Sequence, residues 1–214
     1  MNTADRQGPC AWVVLPLCIA FASQPHEAKA QTLSEAAFET VNRTLTAEGD
    51  AVYLDAAAGD GVAWVEGPDL QDGRISLDVR GADLPGRSFV GVAFHGGDSD
   101  FEAVYVRPFN FNASEEERRS HSLQYVSMPD HPWNVLRERS PGVYEAALSP
   151  APAADSWVHL DLELANGHLA VFVNGSTAPT LEVELLGERR SGRIGLWVGN
   201  GSDGRFRNLV VTPR

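Results

Sequence analysis

The stretch that decides the fold is "SWVHLDLELANGHLAVFVNG", residues 156–175. Val158, Leu160, Leu162 and Leu164 alternate with His159, Asp161 and Glu163, and after "ANGH" (165–168) the alternation resumes with Leu169, Val171 and Val173. A period of two marks a strand with one face against a core. Asn-Gly between two such runs is the strongest short-range sign of a hairpin, because both residues accept the positive φ of a tight turn. A second Asn-Gly pair lies in "VNGS" (173–176), and "GNGSDG" (199–204) reads as a longer turn.

The same period extends in both directions. It is carried by Ile75, Leu77 and Val79, by Val90, Val92 and Phe94, by Ile194, Leu196 and Val198, and by Phe206, Leu209 and Val211. About ten or more strands at this spacing predict an all-β fold, an antiparallel two-sheet sandwich. Helix is scarce. "LSEAAFETVN" (33–42) fits either a helix or an edge strand beginning at Phe38 and Val41, and "SEEERR" (114–119) offers at most a turn. "LSPAPAADS" (148–156) reads as a short crossover between sheets, not as a linker.

Composition bounds the rest. A chain of 214 residues, 43% hydrophobic and 21% charged, suits one domain, assigned here to 31–214. Residues 1–30 read as a secretory signal peptide: "AWVVLPLCIAFA" (11–22) is too short to span a bilayer, and Ala28-Lys29-Ala30 precedes Gln31 as a small-x-small cleavage triplet. Leu17 before Cys18 argues against a lipid anchor. A secreted or periplasmic location follows, without membrane insertion after cleavage. Both cysteines, Cys10 and Cys18, fall in the signal, so the mature chain carries no disulfide. The signal's two acids and two bases cancel, and the mature net charge stays at -12. So acidic a surface excludes nucleic acid and anionic membranes as partners.

The closing run, 156–213, resembles the C-terminal half of concanavalin A-like jelly rolls. It has a Trp-led strand, an Asn-Gly hairpin ending in "VFVNG", a "GRIGLWVG" strand and a last strand "FRNLVVT"; "DGRISLDVRG" (72–81) and "SFVGVAFHG" (88–96) match first-half strands. Within that superfamily the chain is most similar to laminin-G-like and 3-keto-disaccharide-hydrolase-like domains of exported bacterial proteins. The resemblance implies a carbohydrate-binding domain holding an oligo- or polysaccharide in the groove of a concave sheet. Two other readings stay open: a glycoside hydrolase or polysaccharide lyase using the same groove, and a protein-binding envelope module.

The groove is read from "VYVRPFNFN" (104–112). If Val104 and Val106 face the core, Tyr105 and Arg107 face away with Phe101 and Ala103, opposite Gly91, Ala93 and His95 on a neighbouring strand. An aromatic ring beside an arginine suits a sugar, which offers an apolar face and hydroxyl or anionic groups. A structural alternative pairs Arg107 with Glu102 or Asp100. The irregular segment 109–144 adds polar and aromatic candidates, giving the set Tyr105, Arg107, Asn110, His121, Gln124, Tyr125, Trp133 and Arg137. In "HSLQYV" (121–126) alternation puts Gln124 and Tyr125 on opposite sides without saying which is core. Trp133 reads equally as a sugar platform or as a plug, and Trp197 falls on the groove side if Leu196 and Val198 are core.

Catalytic signals are thin. The Glu-x-Asp-x-x-Glu set of the superfamily's glucanases is absent, and Asp161 with Glu163 reads as a solvated polar face. Arg107, His121 and Tyr125 are the residue types of a lyase centre. No cofactor is required. A structural calcium fits the superfamily and the acidic loops, but neither His95 with Asp98 and Asp100 nor Asp130 with His131 has a diagnostic spacing.

Overall fold

The computed structural model describes residues 1, 33, 38–97 and 99–214. Apart from Met1, the expected signal peptide with its two cysteines lies outside the described residues. In chain order the elements are β1 (Phe38–Val41), β2 (Leu45–Glu48), β3 (Ala51–Leu54), β4 (Gly61–Val65), β5 (Gly73–Arg80), β6 (Val90–Gly96) and β7 (Phe101–Val106). A helical turn over Pro108–Asn110 leads to α1 (Glu116–Ser120), β8 (Leu123–Met128), α2 (Trp133–Arg139) and β9 (Glu145–Ala146). The chain closes with β10 (Val158–Ala165), β11 (His168–Val173), β12 (Leu181–Glu184), β13 (Arg193–Val198) and β14 (Gly204–Pro213).

These strands form two antiparallel seven-stranded sheets, the two-sheet sandwich that the alternation predicts and the jelly roll that the resemblance implies. The first runs β1-β4-β13-β6-β7-β8-β9 and the second β12-β11-β10-β5-β14-β3-β2. The hairpin that opened the sequence reading joins β10 to β11 through Asn166 and Gly167, both at positive φ (53° and 81°). β9 belongs to the first sheet and β10 to the second, so the Pro/Ala stretch between them is the crossover. "LSEAAFETVN" resolves at its end into edge strand β1. Two short helices go beyond the sequence expectation. α1 forms where a turn was expected, and α2 buries only Leu136, too little apolar surface to give a helical period in the sequence.

The core lies between the sheets. Ile75, Leu77 and Val79 of β5 and Leu160, Leu162 and Leu164 of β10 are fully buried, and they face Val90, Val92 and Phe94 of β6 and Leu196 and Val198 of β13. The outer face of the second sheet is polar and satisfied. His159 Nδ1 meets Asp78 at 2.6 Å and its Nε2 meets Asp161 at 3.2 Å, while Arg74 (2.8 Å) and Arg207 (3.1 Å) close on the same two carboxylates. Asp161, expected as a solvated acid, is thus an ion-pair acceptor.

The first sheet turns on one glycine. Gly91 of β6 sits in register between Trp197 of β13 and Tyr105 of β7. A Cβ there would run into the Val104 carbonyl oxygen and come within 2.5 Å of Tyr105 Cα. Gly91→Ala is therefore expected to force β6 from β7 and lower the unfolding free energy by about 1–3 kcal/mol, measured by urea denaturation. An unchanged midpoint would show that the strands accommodate the methyl.

Candidate functional site

Antiparallel register carries residues straight across the first sheet, and on its outer face one row spans all seven strands. It reads Val41, Val62, Trp197, Gly91, Tyr105, Gln124 and Glu145, from β1 to β9. A parallel row two residues away holds Gly195, Ala93 and Ala103 between Trp64 and Val126. Because position 91 has no side chain, the Trp197 and Tyr105 rings close over it to a centroid separation of 4.8 Å. Phe89 packs edge-on against Tyr105 at 6.0 Å, from the row on the other side.

Over this floor lies a depression of about 360 Å³, walled by Trp133 and Pro132 at the start of α2 and by Asp60, Gly199 and Asn200 at the strand ends. The rim is sewn together: Asn200 Oδ1 accepts from Gly59 N–H at 2.7 Å, Gly201 N–H donates to Ala57, and Arg43 bonds the carbonyls of Gly59 and Gly199. Asp60 has no ion-pair partner among the described residues. Although it is exposed at the rim, crowding by the loops raises its carboxyl above the ordinary range, against the opposing Asn200 N–H bond and Arg43 charge.

Tyr105 and Trp197 have polar hydrogens to spare. Tyr105 is 2% exposed, and its hydroxyl accepts from Arg107 Nη2 at 2.9 Å. A guanidinium can only donate, so this bond leaves the phenol's own proton uncommitted. Burial pushes the phenol's pKa up to about 12 despite the neighbouring Arg107, keeping it a donor at neutral pH. Trp197, 5% exposed, has an Nε1–H with no hydrogen-bond partner among the described residues.

Of the eight residues expected at the site, Tyr105 and Trp133 line the depression. Trp133 is 46% exposed, and as the first residue of α2 it is a wall, not a plug. Arg107 and Gln124 are on the same face but behind Tyr105. Arg107 was expected to project to solvent; it is 4% exposed because the segment after β7 folds back over the strand end. It donates to Tyr105 Oη, to Gln124 Oε1 at 3.2 Å and to the His121 carbonyl at 2.9 Å, and it pairs with neither Glu102 nor Asp100. Desolvation lowers its pKa, partly offset by the neighbouring Tyr105. Its charge faces the rings of Tyr105 (5.0 Å) and Trp133 (5.9 Å).

His121 and Arg137 converge on Glu145, at 2.8 Å each, beside Gln124. Asn110 is buried and donates to the His121 carbonyl at 3.4 Å. Tyr125 lies on the interior face, where its hydroxyl meets Glu102 and accepts from Leu186 N–H at 2.8 Å. His95 is interior as well. A bulge sets Phe94 and His95 against the single residue Ile194, and His95, at φ 49°, turns its Nδ1 to Glu102 at 2.9 Å. Arg107, His121 and Tyr125 therefore do not assemble as a lyase centre. Of the suggested calcium ligands, His95 is turned inward, Asp100 is held by Arg189 at 2.9 Å, and Asp98 lies outside the described residues. Among the described residues no three His, Cys, Asp or Glu side chains are grouped to hold a metal.

The sequence reading did not select Phe89, Asp60, Asn200 or Gly199. The signal was present in "GNGSDG": a turn following a strand that carries Trp197 must form one end of whatever Trp197 lines.

No protein-family model and no curated protein matches the chain. Solved structures do. A carbohydrate binding module, CBM66 from Bacillus subtilis, superposes with a TM-score of 0.60 at 13% identity over 81% of this chain and 93% of that one. The exoplasmic/lumenal domain of VIP36, in a form bound to Ca2+ and Man3GlcNAc, gives 0.54 at 11% identity over 83% and 85%. A Bacillus licheniformis beta-glucanase gives 0.52 at 12% identity over 81% and 82%. Such identities speak for architecture alone, and with the two seven-stranded sheets they establish that the chain has the concanavalin A-like jelly-roll fold.

Proposed function

We propose that this protein binds carbohydrate in the depression over Tyr105 and Trp197, as a binding domain and not as a hydrolase. The observation that carries the reading is the floor itself: the paired rings of Tyr105 and Trp197, walled by the exposed Trp133, beside one acceptor, Asp60. An apolar floor with a few fixed polar groups suits a sugar ring, which stacks its C–H face and bonds through its hydroxyls. Among the described residues Asp60 is the one carboxylate lining that depression, whereas glycosidic cleavage ordinarily uses two. Similarity to a carbohydrate binding module and to the VIP36 exoplasmic/lumenal domain in its Man3GlcNAc-bound form supports sugar binding. A screen on a glycan array, with release of reducing ends assayed in parallel, tests it. Binding without product is expected, and product release would replace the reading with an enzymatic one.

We also propose export, with a mature chain beginning at Gln31. The apolar run before Ala28-Lys29-Ala30 supports this, and no helix among the described residues is long and apolar enough to cross a membrane. Amino-terminal sequencing of the exported protein should read Gln31; an intact Met1 on that material would refute cleavage.

Two further outcomes follow from the geometry. Trp133→Ala removes an exposed wall without touching the core. Glycan affinity should fall by about 1–2 kcal/mol, roughly tenfold, with the melting temperature unchanged. Loss of stability with unchanged affinity would assign Trp133 to the scaffold.

Arg107 acts through Tyr105 as a positioning residue. Arg107→Lys keeps a charge but cannot make the three-way fork, so stability and glycan affinity should both drop, each by about 1–3 kcal/mol. A double-mutant cycle with Tyr105→Phe should show coupling of about 1 kcal/mol. Strict additivity would mean that the Arg107–Tyr105 bond contributes nothing.

A further inference from the structure

The outer face of the first sheet carries a second aromatic-lined depression, of about 280 Å³, between β1 and β13. Val41 and Val62 contribute from the same cross-sheet row, Trp64 and Phe101 from beside it, and Ser99 from a loop at its edge. It shares two residues with the first depression: Trp197 and Asp60 line both. Trp197 is thus a septum near the middle of one continuous row. From Val41 to Tyr105 the row crosses four strand spacings, about 19 Å, which exceeds the width of one sugar ring.

The charges along this row are few. In the second depression Glu39 is paired with Arg193 at 3.2 Å, and Arg193 lies over the Trp64 ring at 4.8 Å. Among the described residues that line the two depressions, the charge left without an ion pair is the carboxylate of Asp60, in a chain of net charge -12. An anionic sugar on Trp197 would meet an unpaired like charge in a partly desolvated place, whereas a neutral sugar can donate hydroxyl protons to Asp60 while its C–H face packs on the Trp197 ring.

Resting on the carbohydrate reading above, we propose that the ligand is a neutral glycan chain lying across the strands. It occupies both depressions at once and is read at its middle by Asp60 and Trp197. The two depressions are subsites for consecutive stretches of one chain. Affinity therefore rises with chain length until both are filled, and acidic glycans are excluded.

The test is isothermal titration of the protein with cello-, laminari-, manno- and fructo-oligosaccharides of one to six units, and with oligogalacturonides of matched length. In whichever neutral series binds, the longest members are expected to bind at least tenfold tighter than the monosaccharide, and oligogalacturonides not measurably. Ser99→Tyr, a surface change that fills the second depression, should abolish the advantage of length and leave short-chain binding unchanged. Asp60→Asn should weaken every neutral ligand that reaches Trp197 about tenfold or more. Equal affinity for monosaccharide and hexasaccharide would overturn the two-subsite inference and leave the carbohydrate reading standing. Tighter binding of the oligogalacturonides would overturn the claim of neutrality. Failure of every sugar to bind the unmutated protein would overturn the carbohydrate reading and this inference with it.

Discussion

The missing side chain at Gly91 is the constraint on which the outer face of the first sheet rests. With any Cβ at that position, β7 would have to move from β6, because the nearest atoms are the backbone of Val104 and Tyr105 and not the end of a flexible side chain. With none, the rings of Trp197 and Tyr105, two strands apart, meet across the gap. Gly195 and Gly199 extend the same device along β13: a Cβ at 195 would enter Val62 and Trp64, and one at 199 would enter Phe89. Large aromatic residues on a sheet face can pack side by side only if the positions between them are small. The glycines of this face are therefore what allow its aromatic residues to form a floor.

A second constraint is the burial of Arg107. Its three hydrogen bonds go to a phenol, an amide oxygen and a backbone carbonyl, all neutral. A buried cation without a bonded carboxylate is costly unless its hydration is replaced, and here aromatic faces and three acceptors replace it. Glu145, one strand beyond Gln124, holds His121 and Arg137 in the same layer. The polar residues that look like a binding constellation in the sequence are consumed in holding one another. Together they fix the position of Tyr105.

The sequence made the sandwich legible because strands such as β5 and β10 alternate strictly and the turns after β10, β11 and β13 are marked by Asn-Gly. The direction of Tyr105 was legible for the same reason, since Val104 and Val106 could only be core. Arg107 was misjudged because alternation gives the side of a sheet but not what covers it, and the cover comes from an irregular segment of 36 or so residues with little period of its own. His95 was misjudged because a bulge shifts the phase, and nothing in "AFHGG" announces one. Tyr125 and Gln124 could not be separated from sequence, as "HSLQYV" has apolar and polar residues on both sides. Residues at turns, such as Asp60 and Asn200, lie outside any periodic argument. They are brought to the floor by strands that are distant in sequence.

The two outer faces of the sandwich differ in how their polar groups are satisfied, and that difference supports placing the proposed site on the first sheet. On the second sheet the charged groups at the middle of the face are paired with one another: Arg74 with Asp161, His159 between Asp161 and Asp78, Arg207 with Asp78. A ligand arriving there would have to break bonds before making any. On the first sheet the buried Trp197 N–H is unpartnered and no described bond uses the Tyr105 hydroxyl proton, while Asp60 stands without an ion pair. A buried donor left unpaired costs free energy of the order of 1–3 kcal/mol, and the Trp197 N–H carries that cost in return for closing its ring over Gly91. The acceptor of Asp60 beside this apolar aromatic floor is the combination on which the proposed binding of a hydroxyl-rich ligand rests.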